Sequence, residues 1–60
     1  MRMSHRIEDV RNRSRTAARK CRGLGQMLSG QSSADANIAA VRLDQAVELL
    51  DRILARGPQA

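Results

Sequence analysis

Residues 3–28, MSHRIEDVRNRSRTAARKCRGLGQML, decide the fold of this chain. Apolar or small side chains recur along this stretch at alternating intervals of 4 and 3 positions. The residues in this series are Met3, Ile7, Val10, Ser14, Ala17, Cys21, Leu24 and Leu28. Such spacing keeps one side of an α-helix against a partner helix. The stretch therefore predicts a seam-forming helix over residues 4–29.

Two glycines interrupt this predicted helix and leave two interpretations open. Gly23 and Gly25 each cost ~1 kcal/mol relative to alanine in a helix interior. Leu24 and Leu28 keep the heptad phase across them, which favours a continuous helix. The alternative is a helix that ends near Arg22 and is followed by a separate turn.

A second helix is predicted over residues 34–56, after a loop over residues 30–33. Ser32 or Ser33 is the expected N-cap, because a serine hydroxyl can accept a hydrogen bond from a free backbone N–H of the first turn. Gly57 is expected to end the helix, since glycine favours the position just past a helix C-terminus.

The apolar side of the second helix is wider than one heptad seam. Its seam consists of Ala36, Ala39, Leu43, Ala46, Leu50 and Ile53. The column beside it, spaced by seven, consists of Ala40, Val47 and Leu54. A helix this apolar contacts more than one neighbour. The predicted core and dimer contacts on the two helices are Ile7, Val10, Ala17, Cys21, Leu24, Leu28, Leu43, Val47, Leu50 and Leu54.

The length and composition of the chain limit how it can be stabilised. A single core in a chain of 60 residues rarely gives more than ~3–5 kcal/mol. One cysteine and one histidine provide neither an intrachain disulfide nor a structural zinc site, and no aromatic residue is present to fill a β-sandwich core. Self-association remains as the source of stability. We therefore predict one all-α domain over residues 1–60, an antiparallel helical hairpin that forms a homodimeric four-helix bundle.

Positive charge is concentrated in the first half of the chain. The formal net charge is +5, and eight of the eleven Lys and Arg residues lie within the first 22 positions. Residues 31–60, by contrast, carry three basic and four acidic groups. This asymmetry favours a nucleic acid or an acidic protein surface as partner.

The basic residues of the first helix form two sets. Arg6, Arg13 and Lys20 are spaced by seven, and so are Asp44 and Asp51 on the second helix, so we expect inter-helix ion pairs between them. The second set is expected to face outward and consists of Arg11, Arg15, Arg19 and Arg22. No acidic column in the sequence matches this second set, and guanidinium groups bind phosphate oxygens bidentately. These four arginines are the predicted nucleic-acid-binding residues, for structured RNA or duplex DNA.

Other classes of protein are not indicated by the sequence. One histidine and the scattered carboxylates form no catalytic or metal-binding constellation, so we expect neither an enzyme nor a cofactor. Cys21 lies on the apolar stripe and is interpreted as a small buried hydrophobic residue. No apolar run is long enough to span a membrane. A free thiol without a secretory signal is typical of a cytoplasmic protein.

Part of the second helix resembles a known family. The residues that carry the resemblance are Ala36-Asn37-Ile38, Leu43-Asp44-Gln45-Ala46-Val47-Glu48-Leu49-Leu50 and Ile53-Leu54-Ala55-Arg56. They are similar to the second helix of the Rop family of plasmid copy-number regulators. The resemblance implies an antiparallel four-helix homodimer that binds paired RNA stem-loops. It is confined to the second helix, and no functional residue is carried over from the family.

Two functions remain open at this point. The first is a small non-enzymatic dimeric regulator or adaptor that binds nucleic acid through the basic face of the first helix. The alternative is a protein–protein interaction module, such as a phage- or plasmid-type inhibitor, an antitoxin-like partner or a regulatory subunit. In that case the apolar face of the second helix or the basic face would contact another protein.

Overall fold

The computed structural model describes residues 2–57 and contains two helices packed against each other, α1 (Met3–Met27) and α2 (Gly30–Arg56). Leu28 and Ser29 connect them, and the described residues contain no strand. This confirms the all-α helical hairpin, whereas the four-helix bundle stays a prediction. Both limits of the predicted domain, residues 1 and 60, lie outside the described part of the chain.

Helix α1 passes through both glycines without a break, so the continuous helix is the observed alternative. The two glycines have different surroundings. Gly25 is buried, and a Cβ atom at this position would lie 2.5 Å from Oδ1 of Asn37 on α2. At Gly23 a Cβ atom would meet nothing within 4 Å. Gly25 therefore allows the two helices to approach closely near the loop, and Gly23 has no such role.

Helix α2 begins at Gly30, so the predicted loop over residues 30–33 is helical. Gly30 has a φ of 59°, a left-handed conformation that glycine adopts without steric cost. Neither Ser32 nor Ser33 caps the helix, because Ser29 is the N-cap and makes no side-chain cap hydrogen bond.

The hydroxyl of Ser33 instead links the two helices. It donates a hydrogen bond of 2.6 Å to the backbone carbonyl of Gly25. The predicted C-terminal end of α2 is confirmed, since the helix ends at Arg56 and Gly57 is its C-cap.

The core between the two helices is small. Ala18 and Ala40 are each 1% exposed and Val47 is 8% exposed, and these three are the buried hydrophobic side chains of the described residues. The Cα positions extend over 44 × 17 × 10 Å, and the shortest extent is about the thickness of one helix. The hairpin is therefore a single layer, whereas domains usually bury their apolar faces between two layers.

The predicted seam of α1 is divided between two surfaces. The residues of α1 that are at least half-buried are Ser4, Ile7, Arg11, Ser14, Ala17, Ala18, Cys21, Gly23 and Gly25. Val10, Leu24 and Leu28, by contrast, are 51, 49 and 45% exposed. Ala18 and Gly25 take the tightest positions between the helices. Leu24, one position before Gly25, turns outward. On α2, Val47 is buried and three of the predicted contact residues are half-buried: Leu43, Leu50 and Leu54.

Candidate nucleic-acid and protein interface

One side of the hairpin is lined by ion pairs between the helices, and we call it the ionic face. Arg11 Nη1 donates a hydrogen bond to Asp51 Oδ1 at 3.2 Å, and Arg15 Nη2 lies 3.9 Å from Asp51 Oδ2. Arg22 forms the third pair, with Asp44. The hydrogen bond and the charge of Asp44 raise the pKa of the Arg22 guanidinium.

The ion pairs predicted for Asp44 and Asp51 are wrong. Both carboxylates are engaged by the other arginine set, because that set lies beside the contact with α2. Arg13 pairs with Asp9 in its own helix at 3.1 Å. Lys20, like Arg6, forms no ion pair within residues 2–57.

The four predicted phosphate-binding arginines do not form one free row. Arg11 is held between the helices, and its side chain is only 25% exposed. Arg15 and Arg22 have side chains about half exposed, 53 and 49%, and each lies near an acidic partner. Arg19 is exposed and makes no ion pair with any described residue. The expectation that no acidic group matches this row is wrong, but its binding role stays a prediction.

A second group of positive charges, all of them exposed, lies on the side of α1 that points away from α2. We call this group the basic outer surface, and it consists of Arg6, Arg13, Arg19 and Lys20. A shallow groove of about 380 Å³ runs along it. The groove is lined by Asn12, Arg13, Thr16, Ala17 and Lys20. The seven-residue spacing of Arg6, Arg13 and Lys20 was visible in the sequence, but it was interpreted as an ion-pair column.

The side of the hairpin opposite the ionic face is apolar, because the two flanks of an antiparallel helix pair lie on opposite sides of the contact. We call it the apolar face, and it consists of Met3, Val10, Ala17, Leu24, Ala39, Ala46 and Ile53. Met3, Val10 and Leu24 are 49, 51 and 49% exposed. The other four residues are half-buried at the edge of the contact between the helices. Both helices contribute to this surface, and no described residue covers it.

Charged side chains border the apolar face on both helices, and we call these borders its margins. On α1 the margin is formed by Arg6, Arg13, Lys20 and Met27, and on α2 by Asp35, Arg42, Leu49 and Arg56. Both margins are mainly basic. The single carboxylate among them, Asp35, accepts a hydrogen bond of 2.8 Å from Gln31 Nε2 in its own helix.

Within residues 2–57, no group of three His, Cys, Asp or Glu side chains could hold a metal ion. Cys21 is a free thiol, half-buried beside the helix contact. Neither described helix is long and apolar enough to cross a membrane.

Comparison with protein-family models, with curated proteins and with solved structures gave no match for this chain. The resemblance of its second helix to the Rop family therefore stays a prediction. The chemistry of the three surfaces is what supports a function.

Proposed function

We propose that this chain is a non-enzymatic adaptor or regulator that self-associates through the apolar face and binds nucleic acid through the basic outer surface of α1. The observation that carries the proposal is that the accessible cations of the basic outer surface are distinct from the arginines that are paired on the ionic face. The carboxylates of α2 engage three arginines on the ionic face, and a second group of cations remains accessible on the outside of α1.

The basic outer surface suits phosphate contacts more than base recognition. Its side chains follow the axis of a straight helix, so they can track a phosphate backbone over several turns. The groove between Arg13 and Lys20 provides a concave place for a phosphate group between two cations. Such contacts position a protein on RNA or duplex DNA and make binding strongly dependent on salt.

The single-layer shape of the hairpin supports self-association, because it leaves the apolar face uncovered. Two alanines and a valine are a small core for a hairpin with 42% hydrophobic residues, and three of the exposed large hydrophobic side chains, Met3, Val10 and Leu24, lie on the apolar face. A second copy would bury this face and make two layers, which is the predicted homodimeric four-helix bundle.

The nucleic-acid part is tested by replacing Arg13 and Lys20 together with alanine. Binding to a labelled RNA stem-loop and to a DNA duplex is measured by fluorescence anisotropy over a range of salt concentrations. Each lost phosphate contact should reduce the slope of log affinity against log salt by about 1. The control is the double variant Arg2→Ala/Arg52→Ala, which removes the same charge outside the basic outer surface and the margins of the apolar face. If the wild type and the Arg13/Lys20 variant bind with the same affinity and the same salt slope, the basic outer surface is not the nucleic-acid-binding site.

The self-association part is tested by Ala17→Glu, which places a charge at the centre of the apolar face. Sedimentation equilibrium should show dimers for the wild type and monomers for this variant. Thr16→Glu adds the same charge one position away on the outer side, and it should leave the dimer intact. A wild-type chain that sediments as a stably folded monomer contradicts this part of the proposal.

A protein partner is the second candidate, and the margins of the apolar face favour it. An apolar surface bordered by basic side chains is complementary to an amphipathic helix with acidic borders. A partner protein retained on the immobilised chain after nuclease treatment would support this candidate. A partner that nuclease removes would support nucleic acid.

A further inference from the structure

The surface area of the hairpin indicates how much of it an association would cover. The chain exposes 4639 Å², whereas a folded monomer of its mass exposes roughly 3,900 Å². The excess of roughly 700 Å² is close to the ~800 Å² that each partner buries in a standard interface. An interface of standard size on one side of the hairpin would therefore remove about this much surface.

The shape of the apolar face suits a second copy of this chain. Alanines of both helices, Ala17 and Ala46, lie midway along the face, and larger side chains lie towards its ends. When two such faces meet, the alanines of the two copies lie opposite one another and the larger side chains meet towards the ends, so apolar side chains face apolar side chains along the whole face.

The margins oppose this association. If the loops of the two copies lie at the same end, α1 covers α2 of the other copy, and Lys20 comes level with Arg42. If the loops lie at opposite ends, α1 covers α1, and Arg13 comes level with Lys20. Like charges therefore meet along the border of the interface in both orientations. When the loops lie at opposite ends, Asp35 also comes level with Arg56 of the other copy. The margins of each copy carry five basic side chains and one acidic one, so the net effect along the border is repulsive.

We infer that self-association through the apolar face is coupled to the binding of a phosphate polyanion along the margins. The inference rests on the self-association in the proposed function and adds how it is controlled. An anion that lies on the facing margins neutralises both copies at once, so it binds the dimer more tightly than the monomer. By reciprocity of linked equilibria, it strengthens the dimer by the same factor.

The coupling is measured as the dimer dissociation constant, determined by sedimentation equilibrium on the full chain. Raising the salt concentration from about 50 mM to about 500 mM screens the margins, and we expect the dissociation constant to fall about tenfold. Inorganic polyphosphate at the lower salt concentration should have the same effect. A dimer held together by ion pairs at its border would respond in the opposite direction.

Two variants that lose the same number of charges show whether the response of the dimer to salt and polyphosphate depends on the margins. In Arg13→Gln/Lys20→Gln the α1 margin loses two charges, so the dimer should be tighter at low salt and respond little to salt or polyphosphate. In Arg2→Gln/Arg52→Gln two charges are lost on the outward sides of the helices, and the full response should remain. A wild-type dimer that ignores salt and polyphosphate overturns the coupling and leaves the self-association standing. A monomer under every condition overturns both.

Discussion

Arg11 and Asp51, forty positions apart in the sequence, meet across the hairpin with Nη1 and Oδ1 3.2 Å apart. Arg15 shares the same carboxylate from the next turn of α1. Asp51 thus links the open end of α1 to α2, where the core contains only half-buried side chains.

Replacing Asp51 by asparagine should lower the free energy of unfolding by about 1 kcal/mol, because two arginines lose their partner and Arg11 is only 25% exposed. Urea denaturation at one fixed protein concentration measures the change. The control is Glu48→Gln, whose 3.7 Å pair with Arg52 lies within α2 and is well exposed. It should cost less than about 0.5 kcal/mol. Equal losses for the two variants would mean that the pair between the helices has no special weight.

The two glycines of α1 should respond differently to alanine. Gly23→Ala should stabilise the chain by up to about 1 kcal/mol, since alanine favours the helix and meets nothing there. Gly25→Ala brings its Cβ to 2.5 Å from Asn37 Oδ1, so the gain should be smaller or reversed. Adding Asn37→Ala should restore it. Thermal unfolding of the four proteins tests this prediction, which fails if both glycine variants gain equally.

Ser33→Ala should be less stable than Ser32→Ala by about 1 kcal/mol. Both changes raise helix propensity equally, but only Ser33 donates a hydrogen bond to the Gly25 carbonyl, and a typical hydrogen bond contributes about 1 kcal/mol. Chemical denaturation of the two variants gives the difference directly. Matching stabilities would show that this bond adds nothing.

Arg11→Ala and Arg19→Ala should separate folding from binding. Arg11 pairs with Asp51 and is mostly covered, so its loss should reduce stability with little change in the salt dependence of nucleic-acid binding. Arg19 has no ion pair among the described residues, so its loss should leave stability within about 0.5 kcal/mol and reduce the salt slope by about 1. Denaturation and anisotropy titrations on both variants test this, and the reverse pattern would contradict the proposed site.

The periodic spacing of apolar residues was enough to predict the helices and the hairpin. It could not decide which column of α1 faces α2, because the column of Ala18 and Gly25 also contains Arg11, whereas two neighbouring columns are entirely apolar or small. Val10 and Leu24 have the larger side chains, but the structure places Ala18 and Gly25 at the closest contact. The seven-residue spacing of these two small residues was the available signal for the close approach.

The ion pairs were predicted incorrectly for a related reason. A charged residue such as Arg11 is expected to point outward, yet its long side chain can remain half-covered while its guanidinium reaches a carboxylate at the edge of the contact. Asp44 and Asp51 therefore pair with residues beside the interface. Arg13 and Lys20 lie on the opposite side of α1, at the margin of the apolar face, and remain accessible.

The ionic face also limits how many hairpins can stack on one another. A second hairpin can stack on the apolar side, but a third would have to desolvate Arg15, Arg22 and their carboxylate partners on the outside of the pair, and burying such groups is costly. If two hairpins associate through the apolar face as proposed, stacking therefore ends at two layers, and a closed particle is favoured over a fibre.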